Sequence, residues 1–198
     1  HKSTSTTVSF ERIVELYLKA RELSRTSLVD GSNHHPHYSL RTLCRALSYS
    51  VMCTSVYGFQ RALFEGFLMS LCTSLVHDSR LKMLTLVKNY ILKGKNPSFT
   101  KKVPKRPGEN YILFDTFWVR QGQREVIESP HYIITSSIKS RLQQLARVVV
   151  ANRYPILLQG PTSAGKTSMV EYLAKQTGHH FVRVNNHEHT DLQEYMGT

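Results

Sequence analysis

The chain has 198 residues, enough for one or two domains with a sizeable core. Its 26 lysine and arginine residues against 14 acidic residues give a formal net charge of +12, which favours RNA, a ribonucleoprotein or an acidic protein as partner. Cys44, Cys53 and Cys72 form no C-x-x-C pair, so we interpret them as buried free thiols in a reducing compartment. Arg61 and Glu65 interrupt the longest apolar region, which argues against a membrane span.

Two amphipathic helices are predicted near the start of the chain. The first follows an N-cap at Ser9, and its predicted apolar face consists of Phe10, Ile13, Val14, Tyr17, Ala20 and Leu23. The second follows a cap at Ser39, and its apolar face begins with Leu40 and includes Cys44. Both helices should bury these faces against neighbouring elements.

Two more helices follow after short connections. The third is predicted over about residues 59–76, and the fourth begins at Asp78 as N-cap, includes Leu81 on its apolar face and stops at Gly94. Four amphipathic helices with short connections indicate a small bundle. Nothing in the bundle has a catalytic pattern.

Histidines occur in two clusters that invite a metal-site hypothesis. His34, His35 and His37 lie near a proline and have no suitably spaced cysteine or carboxylate to complete a tetrahedral site, so an extended loop is favoured. His187 and His189 follow a predicted strand. Phosphate-loop enzymes hold Mg²⁺ through hydroxyl and carboxylate oxygens, so hydrogen-bonding roles are favoured for this pair.

A linker separates the bundle from the second half of the chain. Residues 95–110 contain three prolines, five lysine or arginine residues and a glycine, a composition typical of a domain boundary. Residues 111–120 are predicted to form two short strands around a turn. Ser136 or Ser137 then caps a helix that runs to Val150.

The segment from Gly160 to Thr167, GPTSAGKT, is a complete G-x-x-x-x-G-K-[ST] phosphate-binding loop. In this motif the backbone N–H groups curl around the α- and β-phosphates, which requires glycine at both ends of the loop. The ammonium of Lys166 would reach the β- and γ-phosphates, and the hydroxyl of Thr167 would ligate Mg²⁺. These two residues are the strongest candidates for function.

The flanks of the loop match what this chemistry needs. Residues 155–159 are a short apolar run that predicts a buried parallel strand, and residues 181–185 predict a second one. Between them, Thr167 to Gln176 has helical spacing and Gly178 is a helix stop. A helix beginning at the loop would add its positive N-terminal dipole beneath bound phosphates.

Arg41 occupies an unusual position in the first turn of the second predicted helix. A cation there opposes the helix dipole, which suggests either simple exposure to solvent or contact with an anion. Local rules favour exposure.

Three stretches resemble the midasin family of dynein-related AAA+ ATPases. Residues 155–198 resemble the start of an AAA+ module, the YSLRTLCRAL stretch at 38–47 resembles the sensor-2 helix in the lid of the preceding module, and YILFDTFWVRQG at 111–122 resembles the segment that leads into the next module. The resemblance implies an α/β AAA+ P-loop NTPase fragment. A helical lid (1–94), a basic linker with a short β segment (95–130) and the first β-α-β part of a parallel-sheet domain (131–198) would follow one another.

The resemblance also implies roles for individual residues. ATP and Mg²⁺ would be the cofactors, with Lys166 and Thr167 catalytic and Thr167 the metal ligand. The remaining nucleotide-binding residues would be Gly160, Pro161, Thr162, Ser163, Ala164, Gly165, Ser168 and, as sensor 2, Arg41. Arg41 would contact a nucleotide bound by the upstream module, so it and Lys166 would serve different ATP sites. No Walker B carboxylate is identifiable, so this stretch alone is expected to be inactive.

Members of the family imply a mechanical function in the nucleus, in nucleolus and nucleoplasm. ATP hydrolysis would remove assembly factors from pre-60S ribosomal particles, with neighbouring AAA+ modules as partners, indirect contact with rRNA and no membrane. Two alternatives stay open at this point. One is another phosphate-loop enzyme such as a small-molecule kinase, and the other is a non-hydrolysing nucleotide-binding module associated with ribonucleoprotein.

Overall fold

A computed structural model of the chain describes residues 8–97 and 102–185. The elements in order are α1 Phe10–Thr26, α2 Leu40–Tyr57, α3 Phe59–Leu71, α4 His77–Leu92, β1 Tyr111–Phe114, β2 Phe117–Arg120, α5 Ser136–Ala151 and α6 Lys166–Thr177. The predicted bundle, hairpin and phosphate-loop helix are all present. None of the helices in the described part is both long and apolar enough to cross a lipid bilayer.

Helices α1 to α4 enclose one apolar core. Leu16 and Ala20 of α1, Phe67 of α3, and Met83 and Val87 of α4 are completely buried in it. Burial of a large apolar side chain stabilises the fold by roughly 1.5–3 kcal/mol, so these contacts account for much of the stability of the bundle.

Most of the predicted apolar face of α1 is buried as expected, at Ile13, Tyr17 and Ala20, but its edge differs. Phe10 and Val14 are 84% and 49% exposed, whereas Leu16 is fully buried. Apolar residues occupy more than one stripe of α1, and the helix packs against its neighbours along only one of them. In α2 and α4 the same effect leaves Leu40 and Leu81 68% and 49% exposed.

The cysteine prediction was partly wrong, because Cys53 and Cys72 are buried but Cys44 is exposed. All three thiols are free. Cys44 lies in the first half of α2, on the side of the helix that the rest of the bundle leaves uncovered.

Several helix ends differ from prediction. Helix α3 ends at Leu71, five residues early, because Leu75 pairs with Asp30 in an isolated antiparallel bridge and so requires an extended backbone. Val76 is therefore the N-cap of α4, and Asp78 lies in its first turn, where a carboxylate favours the helix dipole.

The predicted serine caps were right for the first two helices and wrong for α5. The Ser9 Oγ accepts from the Arg12 N–H at 3.4 Å, and the Ser39 N–H donates to Thr42 Oγ1 at 3.2 Å. For α5 the N-cap is Thr135, whose hydroxyl oxygen accepts from the Ile138 N–H at 3.3 Å.

Strands β1 and β2 form an antiparallel hairpin in which Phe114 pairs with Phe117. Asp115 occupies the tight turn with a positive φ of 54°. Asparagine and aspartate tolerate this left-handed conformation better than most residues. Phe117 and Val119 project from the same face of β2 and are 2% and 1% exposed, which fixes the hairpin against the helices.

Helix α5 packs against the bundle rather than standing apart from it. A second apolar cluster contains Tyr49, Cys53, Ala62 and Met69 from α2 and α3, and Val148 of α5 packs against it. The hairpin and α5 are therefore continuous with the helical bundle through a shared core.

The predicted parallel strands at 155–159 and 181–185 were wrong for this chain. Neither segment is hydrogen-bonded as a strand within the described residues, and Leu157 and Val182 are 83% and 65% exposed. A strand requires a hydrogen-bonded partner, and within the described residues only β1 and β2 pair with each other as strands.

Candidate functional site

The phosphate loop has the backbone geometry that its sequence requires. Gly160 and Gly165 have φ values of 154° and 77°, in the region that favours glycine over residues with a side chain. Ser163 also has a positive φ, 63°, at the tip of the loop. The loop therefore turns sharply at both ends before α6 begins at Lys166.

The side chain of Lys166 folds back over the loop. Its Nζ donates to the carbonyl oxygens of Gly160 at 2.8 Å and Pro161 at 2.7 Å. These two bonds hold the ammonium at the start of the loop, on the side where the backbone curls. The positive charge of Lys166 therefore lies at the first two residues of the loop.

Helix α6 presents an accessible N-terminus. Thr167 and Ser168 in its first turn are exposed, whereas Met169 and Leu173 are buried and anchor the helix. The first N–H groups of any helix have no partner within it, and they carry a partial positive charge. Gly178 ends the helix in the left-handed conformation, as predicted, with its N–H directed to Ala174 O and Lys175 O.

Arg41 lies in the first turn of α2 and is exposed. Within the described residues no hydrogen bond or ion pair links it to the phosphate loop. The two candidate residues therefore lie on separate elements, Arg41 on α2 and Lys166 at the start of α6.

The first histidine cluster makes ordinary loop contacts. The backbone N–H of His34 donates to Asp30 Oδ1 at 2.9 Å, and His35 Nδ1 lies 2.8 Å from Leu28 O. No group of three histidine, cysteine, aspartate or glutamate residues within residues 8–97 and 102–185 is arranged to hold a metal ion. His187 and His189 lie outside those ranges.

A buried charged cluster of Arg61, Glu65 and Arg147 was missed by the sequence-based predictions. All three are nearly inaccessible, at 3%, 4% and 9% exposure. The Arg147 Nε donates to Glu65 Oε2, and the Arg61 Nε lies 4.0 Å from Glu65 Oε1. The sequence shows Arg61 and Glu65 as two charges inside a long apolar region. It does not show that Arg147 of α5 pairs with Glu65.

The same arginine connects the bundle to the hairpin. Arg61 donates to the carbonyl oxygens of Lys102 at 3.0 Å and Thr116 at 2.9 Å. Its guanidinium also lies over the rings of Tyr57 and Phe117, 4.7 and 5.4 Å from their centroids. One side chain of α3 thus contacts the linker, the turn of the hairpin and the strand that follows.

Tyr57 at the end of α2 makes a second connection to the hairpin. Its hydroxyl oxygen accepts from the Trp118 N–H at 2.8 Å. Burial raises the pKa of Tyr57 to about 12, against the opposing effects of the Trp118 contact and Arg61. The hydroxyl is therefore protonated at neutral pH and serves as a fixed structural contact.

The chain that leaves β2 docks on the C-terminal end of α6. The N–H groups of Gly122, Arg124 and Ile127 donate to the carbonyl oxygens of Thr177 at 2.9 Å, Gly178 at 2.8 Å and Lys175 at 3.1 Å. A Cβ on Gly122 would lie 2.1 Å from Gly178 O, so only glycine permits this approach. The hairpin is thereby connected directly to the helix of the phosphate loop.

Comparison with known proteins accounts for both halves of the chain. Residues 1–94 match the family model described as the midasin AAA lid domain, and residues 156–198 match the model of the ATPase family associated with various cellular activities (AAA). Over 94% of its length the chain is 50% identical to midasin of Dictyostelium discoideum. The chain belongs to the midasin family of AAA+ ATPases.

A more distant member of the family supports this assignment. Midasin of Giardia intestinalis is 30% identical, again over 94% of the chain. The chain spans only 3% and 4% of these two relatives, which are far longer proteins. No solved structure matches the chain. The lid match contains α1 to α4, and the AAA match contains the whole phosphate loop with α6.

Proposed function

We propose that the chain is an ATP-binding segment of a multi-module AAA+ mechanoenzyme that remodels pre-60S ribosomal particles by removing their assembly factors. The observation that carries the ATP-binding part is the phosphate loop, with glycines in the left-handed region at both ends and the Lys166 ammonium folded over it. Membership of the AAA ATPase family supports the same chemistry.

The residues at the loop fit ATP with Mg²⁺. The Lys166 ammonium is a donor for phosphate oxygens, and the exposed hydroxyls of Thr167 and Ser168 provide oxygen atoms, which Mg²⁺ prefers. The N-terminus of α6 adds backbone donors and a positive dipole. Bound ATP would supply a phosphoanhydride bond, and transfer of its γ-phosphoryl group to water would release free energy. This chain would position that nucleotide, with Gly160 to Gly165 cradling the phosphates and Thr167 holding the metal.

The proposed mechanism is mechanical, and the connections between the lid and the next module support it. Arg61 and Tyr57 of the lid bind the hairpin, and Gly122 beyond the hairpin binds the end of α6. A movement of the lid would therefore reach the phosphate-loop helix through these hydrogen bonds and the backbone that joins β2 to Gly122. In this proposal Arg41 would sense the nucleotide of the upstream module, and the path would couple that site to the one at Lys166.

The proposed client is a ribonucleoprotein in the nucleus. The formal net charge of +12 supports an anionic client, with rRNA contacted indirectly and assembly factors as the direct targets. Hydrolysis in the intact protein would also require carboxylates that polarise water, so we expect slow or no turnover by this chain alone.

The ATP-binding part is tested by titrating a fluorescent ATP analogue with Mg²⁺ into this chain and its variants. Lys166→Ala should weaken binding by about tenfold or more, because a charge-assisted hydrogen bond to phosphate is lost. Lys175→Ala is the matched control, since Lys175 lies on the same helix and its side chain pairs with Glu171 at 2.7 Å on the surface. Normal binding by Lys166→Ala would contradict the assignment of the loop.

The proposal that pre-60S particles are the target must be tested in the intact protein. Full-length protein carrying Lys166→Ala should co-purify with precursors of the large ribosomal subunit that retain their assembly factors. Co-purification with neither ribosomal proteins nor rRNA would reject the pre-60S proposal while leaving ATP binding unaffected.

A further inference from the structure

A cavity of about 100 Å³ lies where α3, α4 and α5 meet, away from the phosphate loop. A single water needs only roughly 10–15 Å³ of such volume, so there is room for a small polyatomic ion. Its polar lining consists of Thr73, Arg80, Gln144 and Arg147, with the Cys72 thiol beside them. Every charged group in this lining is a cation.

The charges around the cavity do not balance. Arg147 is paired with Glu65, but Glu65 is shared with Arg61, so one carboxylate serves two buried arginines. Arg80 has no carboxylate partner among the described residues. The Gln144 amide is satisfied when its oxygen faces Arg80, and in that orientation it accepts from Arg80 Nη1 and Nη2 at 2.8 and 3.1 Å. Arg80 and Arg147 both line the cavity, and no carboxylate lines it with them. Partly buried positive charge without a counter-charge is costly.

The position of Arg80 adds to this imbalance. It lies in the first turn of α4, where its N–H donates to Val76 O at 2.8 Å and the helix dipole is already positive. A cation at this end of a helix is locally unfavourable, and the Asp78 carboxylate in the same turn offsets part of this effect. An anion beside Arg80 would be attracted both by its guanidinium group and by the positive end of the helix dipole.

The pKa of the Cys72 thiol shows how the charges of the lining act on the wall of the cavity. Burial raises the pKa of its thiol to about 12, and the two charges that oppose this rise are Arg80 and Arg147. Both guanidinium groups therefore act on the same wall of the cavity with the same sign.

We propose that this cavity binds one small oxyanion through Arg80 and Arg147, with Thr73 and Gln144 as additional hydrogen-bonding groups. Guanidinium groups bind phosphate and carboxylate oxygens through paired donors, and the Gln144 amide can turn its N–H₂ toward the ion once Arg80 has a charged partner. The ion would neutralise the excess charge at the junction of the lid and α5. The site is independent of ATP binding at Lys166.

The oxyanion could be free phosphate or the carboxylate of an acidic side chain, and one experiment distinguishes them. Inorganic phosphate and acetate are titrated separately into this chain at constant ionic strength, with the side-chain resonances of Gln144 and Arg80 followed by ¹⁵N NMR. We expect saturable shifts of both resonances. Tighter binding of phosphate indicates free phosphate as ligand, whereas tighter binding of acetate indicates a carboxylate.

Arg80→Gln and Lys82→Gln form a matched pair of variants. Both remove one positive charge from α4, but Lys82 is exposed and does not line the cavity. Arg80→Gln should raise the apparent Kd of the tighter-binding ion by about tenfold, and Lys82→Gln should leave it unchanged. Shifts that rise linearly without saturation in the unsubstituted chain, or equal effects of the two substitutions on Kd, would overturn the proposal.

Discussion

Glu65 and Arg147, 82 residues apart in the chain, form an ion pair in which both side chains are at least nine-tenths buried. Glu65 belongs to the lid and Arg147 to the helix that precedes the phosphate loop. An ion pair in such surroundings is favourable only when its geometry is good and its other polar atoms are satisfied. The lid and α5 are therefore held in a specific relative position rather than merely joined by a linker.

Glu65→Ala should strongly destabilise the chain, because two arginines lose their shared carboxylate. Removing one partner of a buried ion pair costs about 3–5 kcal/mol. Urea denaturation of the variant measures the loss. The control is Glu22→Ala, which removes an exposed pair with Lys19 on α1 and should change stability little. Similar denaturation midpoints for the two variants would mean that the Glu65 pair contributes no more than a surface contact.

Gly122→Ala should disrupt the docking of the hairpin on α6. The new methyl group would lie 2.1 Å from Gly178 O, so the backbone must move, at a cost of about 1–3 kcal/mol. ATP binding at Lys166 should weaken as well, since the end of its helix loses this support. Gly108→Ala is the control, because its added methyl would be 3.7 Å from the Tyr111 ring. If both alanine variants unfold at the same denaturant concentration, the close approach of the two segments is not required.

The three cysteines should react at very different rates with a maleimide at neutral pH. Cys44 is exposed and should label at once, whereas Cys53 and Cys72 should label only when the chain unfolds. Mass spectrometry of partially labelled protein identifies the modified site. Rapid labelling of Cys72 in folded protein would contradict its position in the core.

Stability should fall at alkaline pH, in part because of Cys53. Burial raises the pKa of this thiol from 9.0 to about 11, so folding favours the protonated form. The contribution of the Cys53 thiol to the free energy of unfolding is complete below pH 9 and is lost as the pH rises toward 11. Cys53→Ala should flatten the decline of the unfolding free energy over this range. An unchanged pH dependence in the variant would show that Cys53 ionisation is not linked to unfolding.

Arg41→Ala should leave ATP binding at Lys166 unchanged, because the exposed guanidinium has no contact with the phosphate loop. The same fluorescent titration used for Lys166→Ala measures the effect. Weaker binding by Arg41→Ala would mean that both residues serve one site and would remove the two-module interpretation.

The sequence by itself determined the features that depend on neighbouring residues. The phosphate loop, the helix that starts at its lysine, the stop at Gly178 and the cap at Ser9 all follow from short-range hydrogen bonds and backbone preferences. The tight hairpin follows from two β-rich runs joined by a turn residue that tolerates positive φ.

Only the tertiary structure decided which surfaces are covered and which distant groups meet. Periodicity shows that Phe10 and Leu16 lie on apolar stripes of α1, but the neighbouring helices determine which stripe is buried. Strand geometry at 155–159 depends on a hydrogen-bonded partner, which local composition does not provide. The buried contact of Glu65 with Arg147 joins residues from different elements, so it arises from the packing of α3 against α5 and has no local signature.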